Sequence, residues 1–216
     1  MARGRLITIE GLDGAGKSTL AHGLLSSMAA RGSHVEVLRE PGGVELSERI
    51  RALVADPTLA VSARTEALLY AAARAQLVEE RLQPLLRRGV LVLLDRFIDS
   101  SLAYQGAGRG LGVDHVRDLN QFATWGLEPD RTLLLRISPA AGRARQQGRT
   151  LEPDRIERES ESFFATVAAA YDELASAEPR RIRTIDASQP AERVLAAALD
   201  AVEDLLAPAA SAPRRS

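Results

Sequence analysis

Of the 28 lysine and arginine side chains in this chain, a single one is lysine. It is Lys17, in the run Gly11-Leu12-Asp13-Gly14-Ala15-Gly16-Lys17-Ser18-Thr19, which fits the pattern G-x-x-x-x-G-K-[ST]. A chain that uses arginine everywhere else keeps lysine where a compact ammonium on a flexible stem has to reach between phosphates, a place too narrow for a planar guanidinium. The pattern also dictates its surroundings. A strand must end at the first glycine and a helix must start at the lysine, so that successive backbone N–H groups and the helix N-terminus converge on the anion. Both are legible. Leu6-Ile7-Thr8-Ile9-Glu10 is a β-branched apolar run, and apolar residues recur at helical spacing after Ser18. Gly11, Asp13, Gly14, Ala15, Gly16, Lys17, Ser18 and Thr19 are therefore the candidate triphosphate cradle, with Lys17 on the β- and γ-phosphates and Ser18 on Mg²⁺. As part of a loop, Lys17 is expected to be exposed.

The rest of the chain repeats the alternation. Short apolar runs predict strands at 6–10, 34–39, 90–95, 132–137 and 182–186. Helical patterns predict helices at 17–30, 46–53, 62–87, 115–125, 157–175 and 191–206, with Pro84 kinking the long one near its end. Continuous apolar strands alternating with helices mean an α/β fold, a doubly wound five-stranded parallel sheet covered on both faces. Its 216 residues suit one domain over 1–206, followed by a tail at 207–216 whose composition reads as disordered. A net charge of −1 gives no case for nucleic acid as a partner, and the absence of cysteine excludes disulfides and thiolate metal sites. No run reaches membrane-spanning length, and the first residues lead straight into a strand, so the expectation is a cytoplasmic protein with no membrane partner.

Ligands of such sheets bind beyond the carboxyl ends of the strands. After the second strand come Arg39-Glu40-Pro41-Gly42-Gly43 and Arg51, candidates for a second phosphate. After the third come Asp95, placed to orient Mg²⁺ with Ser18 and Asp13, then Arg96, Ser100, Ser101, Tyr104 and Gln105. The glycine-rich stretch that follows, 106–110, reads as a mobile substrate loop. In the long helix Tyr70 and Arg74 share a face, a ring and a guanidinium suited to a nucleobase. After the fourth strand Arg143, Arg145, Arg149 and Arg155 sit in a segment, about 142–156, that reads as a small lid supplying positive charge to a phosphoryl transfer. The turn at 186–190 is placed to flank an adenine.

Together, Glu10 through Thr19, Arg39 through Gly43, Asp95-Arg96-Phe97-Ile98-Asp99-Ser100 through Gly106, and Asp154-Arg155-Ile156-Glu157 resemble the thymidylate kinase family over residues 6 to about 206. The resemblance implies a nucleoside-monophosphate-kinase-like fold, ATP and Mg²⁺ as cofactors, dTMP as acceptor and a homodimer. It implies that Arg39 and Arg96 hold the dTMP phosphate and that Asp13 sits by the acceptor end. It places Arg74 and Tyr70 on the thymine, Ser100 and Ser101 along its pocket, Tyr104 under the deoxyribose and Gln105 near base or sugar. One branch of the family carries a loop arginine at the position of Gly14, so this chain resembles the branch that takes arginine from the lid. Arg136 stands where the family pattern suggests Asp. Two other readings stay open: a kinase for another nucleoside monophosphate or a deoxynucleoside, and a nucleotide-binding module that transfers nothing.

Overall fold

The computed structural model describes residues 3–146 and 153–206. Arg149 and the tail 207–216 lie outside the described residues, as does the middle of the predicted lid. Five strands, β1 Leu6–Gly11, β2 Val35–Arg39, β3 Leu91–Asp95, β4 Arg131–Arg136 and β5 Ile182–Asp186, form one parallel sheet in the order β2-β3-β1-β4-β5. The chain winds from central β1 to one edge, returns through β3, and crosses to the other side at β4. This brings the ends of β1 and β3 side by side, with Ile9 in register with Asp95, and makes the loop after β1 a neighbour of the loop after β3.

Both faces of the sheet are buried. Ile7, Ile9, Leu91 and Leu93 join one apolar cluster; their alternates Leu6, Val92 and Leu94 join another. Helix α1, Lys17–Ala30, puts Leu20, Leu24 and Met28 into the first cluster, at the spacing one helix face requires. Helices α8, Glu161–Ala177, and α9, Ala191–Leu206, complete that layer with Phe163, Val167, Val194, Ala198 and Val202. Ser160 caps α8 by accepting from Phe163 N–H at 3.2 Å.

Helices α2, Glu45–Ala55, and α3, Ala63–Leu77, lie on the other side. The predicted single helix 62–87 is three pieces. Its turns widen to π geometry over Val78–Leu82 and recover in α4, Gln83–Arg87. Pro84 has no N–H and would clash with the carbonyl four residues back; a wider turn upstream removes the clash without ending the helix. Three further helices are α5 Ile98–Ser101, α6 Val113–Thr124 and α7 Pro139–Gln146.

Of the stretch 106–110, expected as a loop, residues 106–108 are regular structure and 109–110 form the turn that follows. Leu102–Gly108 is a π-helical segment, buried from Leu102 to Gly106 and packed against α6 and α8. A Cβ on Gly108 would lie 2.8 Å from the Phe163 ring and 2.9 Å from Val167. Glycine is there to let two elements touch, not to let a loop move.

Candidate functional site

The loop between β1 and α1 wraps around Lys17. Gly14 and Gly16 take φ of 82° and 96°, a region closed to most side chains. Gly16, as the residue preceding α1, has no side chain with which to cap the first helical N–H groups, so these are available to an anion. Lys17 is not exposed as the sequence suggested. It opens α1, is 8% exposed, and its Nζ donates to the carbonyls of Gly11 and Leu12, both at 3.1 Å, with Asp13 Oδ1 at 3.5 Å. The helix start carries its stem inward and the curled loop closes over it.

Gly14 also shows why no side chain stands there. A Cβ would meet the carbonyl oxygen of Gly142 in α7 at 2.2 Å, and one on Gly142 would meet the Asp13 carbonyl at 2.7 Å. Loop and α7 approach backbone to backbone. An arginine at position 14 would require α7 to move.

Beyond the strands lie two adjoining clefts. The first is walled by the loop from Asp13 to Thr19, Arg39, Asp95, Arg145 and the turn from Ala187 to Pro190. The second is walled by Pro41, Val54, Tyr70, Arg74, Ser100, Ser101, Tyr104, Gln105 and Ile156. Five residues line both: Asp13, Glu40, Arg51, Arg96 and Asp154.

Arg96 stands on that boundary. Its backbone takes φ 68°, strained for a residue with a side chain. Three contacts hold it there. Its N–H donates to Ile9 O at 3.0 Å, and the buried carboxylate of Glu10 accepts from Phe97 N–H at 2.8 Å and Ser100 N–H at 3.2 Å just beyond it. Its guanidinium lies 5.1 Å from the Tyr104 ring centroid and donates to Ser100 Oγ at 3.0 Å and Asp13 Oδ1 at 2.6 Å. Burial works to raise the Asp13 pKa, but Arg96 and then Lys17 outweigh it and hold the carboxyl well below its usual range. Burial, reinforced by Arg96, pushes the Lys17 ammonium down, against the pull of Asp13 and Asp95.

Glu10 went unassigned in the sequence, although it lies within the loop motif. It is fully buried and also accepts from Ser100 Oγ at 2.5 Å and Tyr171 OH at 2.9 Å. Burial, then Asp99, raises its pKa. Glu66 was missed as well. Neither acid carries a local signal, because the partners of each come from distant parts of the chain.

Ser18 Oγ donates to Asp95 Oδ2 at 3.2 Å. This juxtaposition of a hydroxyl and a carboxylate offers oxygen donors alone, the set a hard divalent cation takes when phosphates and water complete its shell. Among the described residues no cluster of three or more His, Cys, Asp or Glu side chains is placed to hold a metal by itself.

Arg74 is 2% exposed, and its guanidinium is committed within the protein. It donates to Glu40 at 2.7 Å, Ser101 Oγ at 2.8 Å, the Phe97 carbonyl at 2.9 Å and Asn120. It forms the floor of the second cleft rather than a free arm reaching into it. Tyr70 lines the same cleft, its hydroxyl pushed up to about 12 by burial and then by Glu66.

The predicted lid arginines separate. Arg145 faces the first cleft. Arg143 turns away, 3.4 Å from Glu161 and over the Phe164 ring. Arg155 is pinned elsewhere: its guanidinium meets buried Glu66 at 2.7 Å and the carbonyl of Val54 at 3.0 Å. Of these three, Arg145 alone is brought to the loop. Arg39 lies at the edge, 49% exposed and paired to Glu48; Arg51 donates to the Pro41 carbonyl. Arg136 has a plain partner in Asp172 at 2.8 Å, on the surface.

A parallel sheet in this order, a glycine-rich loop closing on a lysine, and a second cleft meeting the first across an arginine mark the architecture of a P-loop phosphotransferase. The thymidylate kinase family model matches residues 9–198. Thymidylate kinase of Latilactobacillus sakei subsp. sakei is 48% identical over 202 residues, 92% of this chain and 94% of the relative. That of Lactobacillus delbrueckii subsp. bulgaricus is 46% identical, covering 93% and 96%; that of Deinococcus radiodurans is 45% identical, covering 94% and 98%. The chain belongs to the thymidylate kinase family.

Proposed function

We propose how this chain performs the reaction that family membership gives it, transfer of the γ-phosphoryl group of ATP to dTMP. One observation carries the reading: the two clefts share Asp13 and Arg96. ATP lies in the first cleft, its phosphates on the loop N–H groups and Lys17, its adenine against the turn from Ala187 to Pro190. dTMP lies in the second, its base between Tyr70 and the wall of Ser100, Ser101 and Gln105, its sugar over Tyr104. Its phosphate meets Arg96, with Arg39 and Arg51 beside it. A phosphate oxygen of dTMP attacks the γ-phosphorus in line, and the bond from that phosphorus to the ADP oxygen breaks. The attacking oxygen is already anionic, so no general base is needed. The protein supplies alignment and positive charge.

Ser18 and Asp95 are the residues that would hold Mg²⁺, and Mg²⁺ would neutralise charge on the transferring phosphates. Among the described lid arginines, Arg145 is the one that lines the first cleft, and it is assigned to the γ-phosphate. The reading places this work in the cytoplasm, where ATP and dTMP would be met together. No helix among the described residues is long and apolar enough to cross a membrane.

A homodimer fits the exposed apolar side chains of three neighbouring helices: Leu46 and Leu53 on α2, Leu68 on α3, and Phe122 with Trp125 at the end of α6. Phe122 is 88% exposed and Trp125 75%. Large apolar groups clustered at such exposure are those an interface covers. Sedimentation should give a dimer that Phe122→Glu converts to monomer.

The deciding experiment is ADP production from Mg-ATP with dTMP, dUMP, UMP, dCMP, dGMP and thymidine as separate acceptors. Fast turnover with dTMP, slower with dUMP and little with UMP is expected. Preference for another acceptor would keep the phosphate chemistry and overturn the assignment of the second cleft.

A further inference from the structure

Gln105 lines the second cleft, yet an amide is an ambiguous reader: turned one way it offers an oxygen, turned the other a pair of N–H groups. Something must fix its sense. Its Nε2 donates to Glu66 Oε1 at 2.9 Å. Glu66, on α3, is fully buried, and two cations converge on it. Arg109 reaches both oxygens, Nε to Oε1 at 3.1 Å and Nη2 to Oε2 at 3.0 Å; Arg155 Nη2 lies 2.7 Å from Oε2. Burial would raise the Glu66 pKa, but these partners reverse the shift and hold it low. An ionised carboxylate accepts and never donates. Gln105 must therefore turn its nitrogen to Glu66 and its oxygen to the cleft.

We infer that Glu66 is a specificity-positioning residue, which by accepting from Gln105 forces an acceptor toward the base and so selects pyrimidines whose facing ring nitrogen carries a hydrogen. Thymine and uracil present such an N–H. Cytosine presents a lone pair at that nitrogen, and two acceptors facing each other leave both unpaired in a dry pocket. The inference rests on the second cleft being the dTMP site. Glu66 touches no substrate in this account; it acts through Gln105.

The geometry makes one substitution informative. In E66Q the introduced amide keeps its oxygen at the Oε2 position, where two cations meet it at 3.0 and 2.7 Å, and puts its nitrogen at the Oε1 position, where it faces Gln105 and also Arg109 Nε, the longest of these contacts at 3.1 Å. Gln105 then flips and shows its N–H groups to the cleft. The double variant E66Q/Q105E keeps one carboxylate in the cluster, now facing the amide at position 66, and presents oxygen to the base in either orientation, so it restores the original choice.

The experiment measures kcat/KM for dTMP, dUMP and dCMP with the wild type, E66Q and E66Q/Q105E. Ratios between acceptors do not depend on the fraction of protein that is folded. The dTMP-to-dCMP ratio is expected to fall by roughly tenfold or more in E66Q and to return in the double variant. The dTMP-to-dUMP ratio, which reads a methyl group elsewhere on the ring, should hold within about twofold in both. An unchanged dTMP-to-dCMP ratio in E66Q, or a parallel fall in both ratios, overturns the inference. Should E66Q yield no soluble protein, a double variant that is soluble and has lost the dTMP-to-dCMP preference overturns it equally. Wild-type protein that prefers another acceptor points to failure of the cleft assignment instead.

Discussion

In the proposed reading the two clefts recognise their nucleotides by opposite means. The loop cleft works through backbone N–H groups, one lysine and arginines at its rim, such as half-exposed Arg39. The acceptor cleft is built of side chains locked to one another before any ligand is considered: Arg74 to Glu40, Ser101, Phe97 and Asn120, Gln105 to Glu66, Ser100 to Glu10. Phosphate is a generic ligand, and a glycine loop with a helix start suffices to bind it. A base must be told from its relatives by single hydrogen bonds, and these discriminate well only where each partner is rigid and has no alternative. Transfer strength is thus concentrated on one side of Arg96 and selectivity on the other.

The comparison breaks most visibly at Lys17. Lys17→Ala should lower turnover by about 10³-fold or more, because it removes charge held against the transferring group. A coupled ADP assay measures the loss. On the acceptor side the largest effect is structural. Arg74→Met leaves the buried Glu40 carboxylate without its cation and Asn120 Oδ1 without its donor, and should destabilise the fold by about 3–5 kcal/mol, read as a lowered denaturant midpoint. Arg74→Lys should rescue little of it, because an ammonium cannot reproduce the fork.

The lid arginines sharpen the contrast within the loop cleft itself. Arg145→Ala should lower kcat by about 10- to 100-fold, while Arg143→Ala, paired to Glu161 on the far side, should stay within about twofold. Equal effects from both would remove Arg145 from the assigned role.

The smallest effect is on acid stability. Asp13 has its folded pKa depressed from 3.8 by Arg96 and Lys17, so its stabilisation is complete above that value and drains away as pH falls below about 4. Wild-type stability should therefore drop more steeply below pH 4 than that of Asp13→Asn. Chemical unfolding at pH 6 and pH 3 compares the two slopes.

The same division governs what the sequence discloses. The phosphate loop is a local motif, and its strand, glycines, lysine and helix are contiguous; all five strands follow from apolar runs that only a doubly covered sheet can bury. The acceptor cleft is assembled from pairs such as Glu66 with Arg155 and Glu10 with Tyr171, between which the chain gives no local signal. Gly106 and Gly108 looked like flexibility because composition does not report that Phe163 and Val167 press on that segment. Lys17 looked exposed because loop position says nothing of a helix start that buries it. Arg155 sits in the predicted lid by sequence and against α3 in space. Pro84 is a perturbation, as expected, and the form it takes is a single wide turn that absorbs it.

Calorimetric titration of dTMP into wild type and Lys17→Ala, without ATP, tests the division of labour most directly. The account predicts dTMP affinities within about threefold of each other, because the acceptor cleft is held together without Lys17, alongside a turnover loss of about 10³-fold. A dTMP affinity that collapses together with turnover would mean that the two clefts are one interdependent site, and would contradict the account.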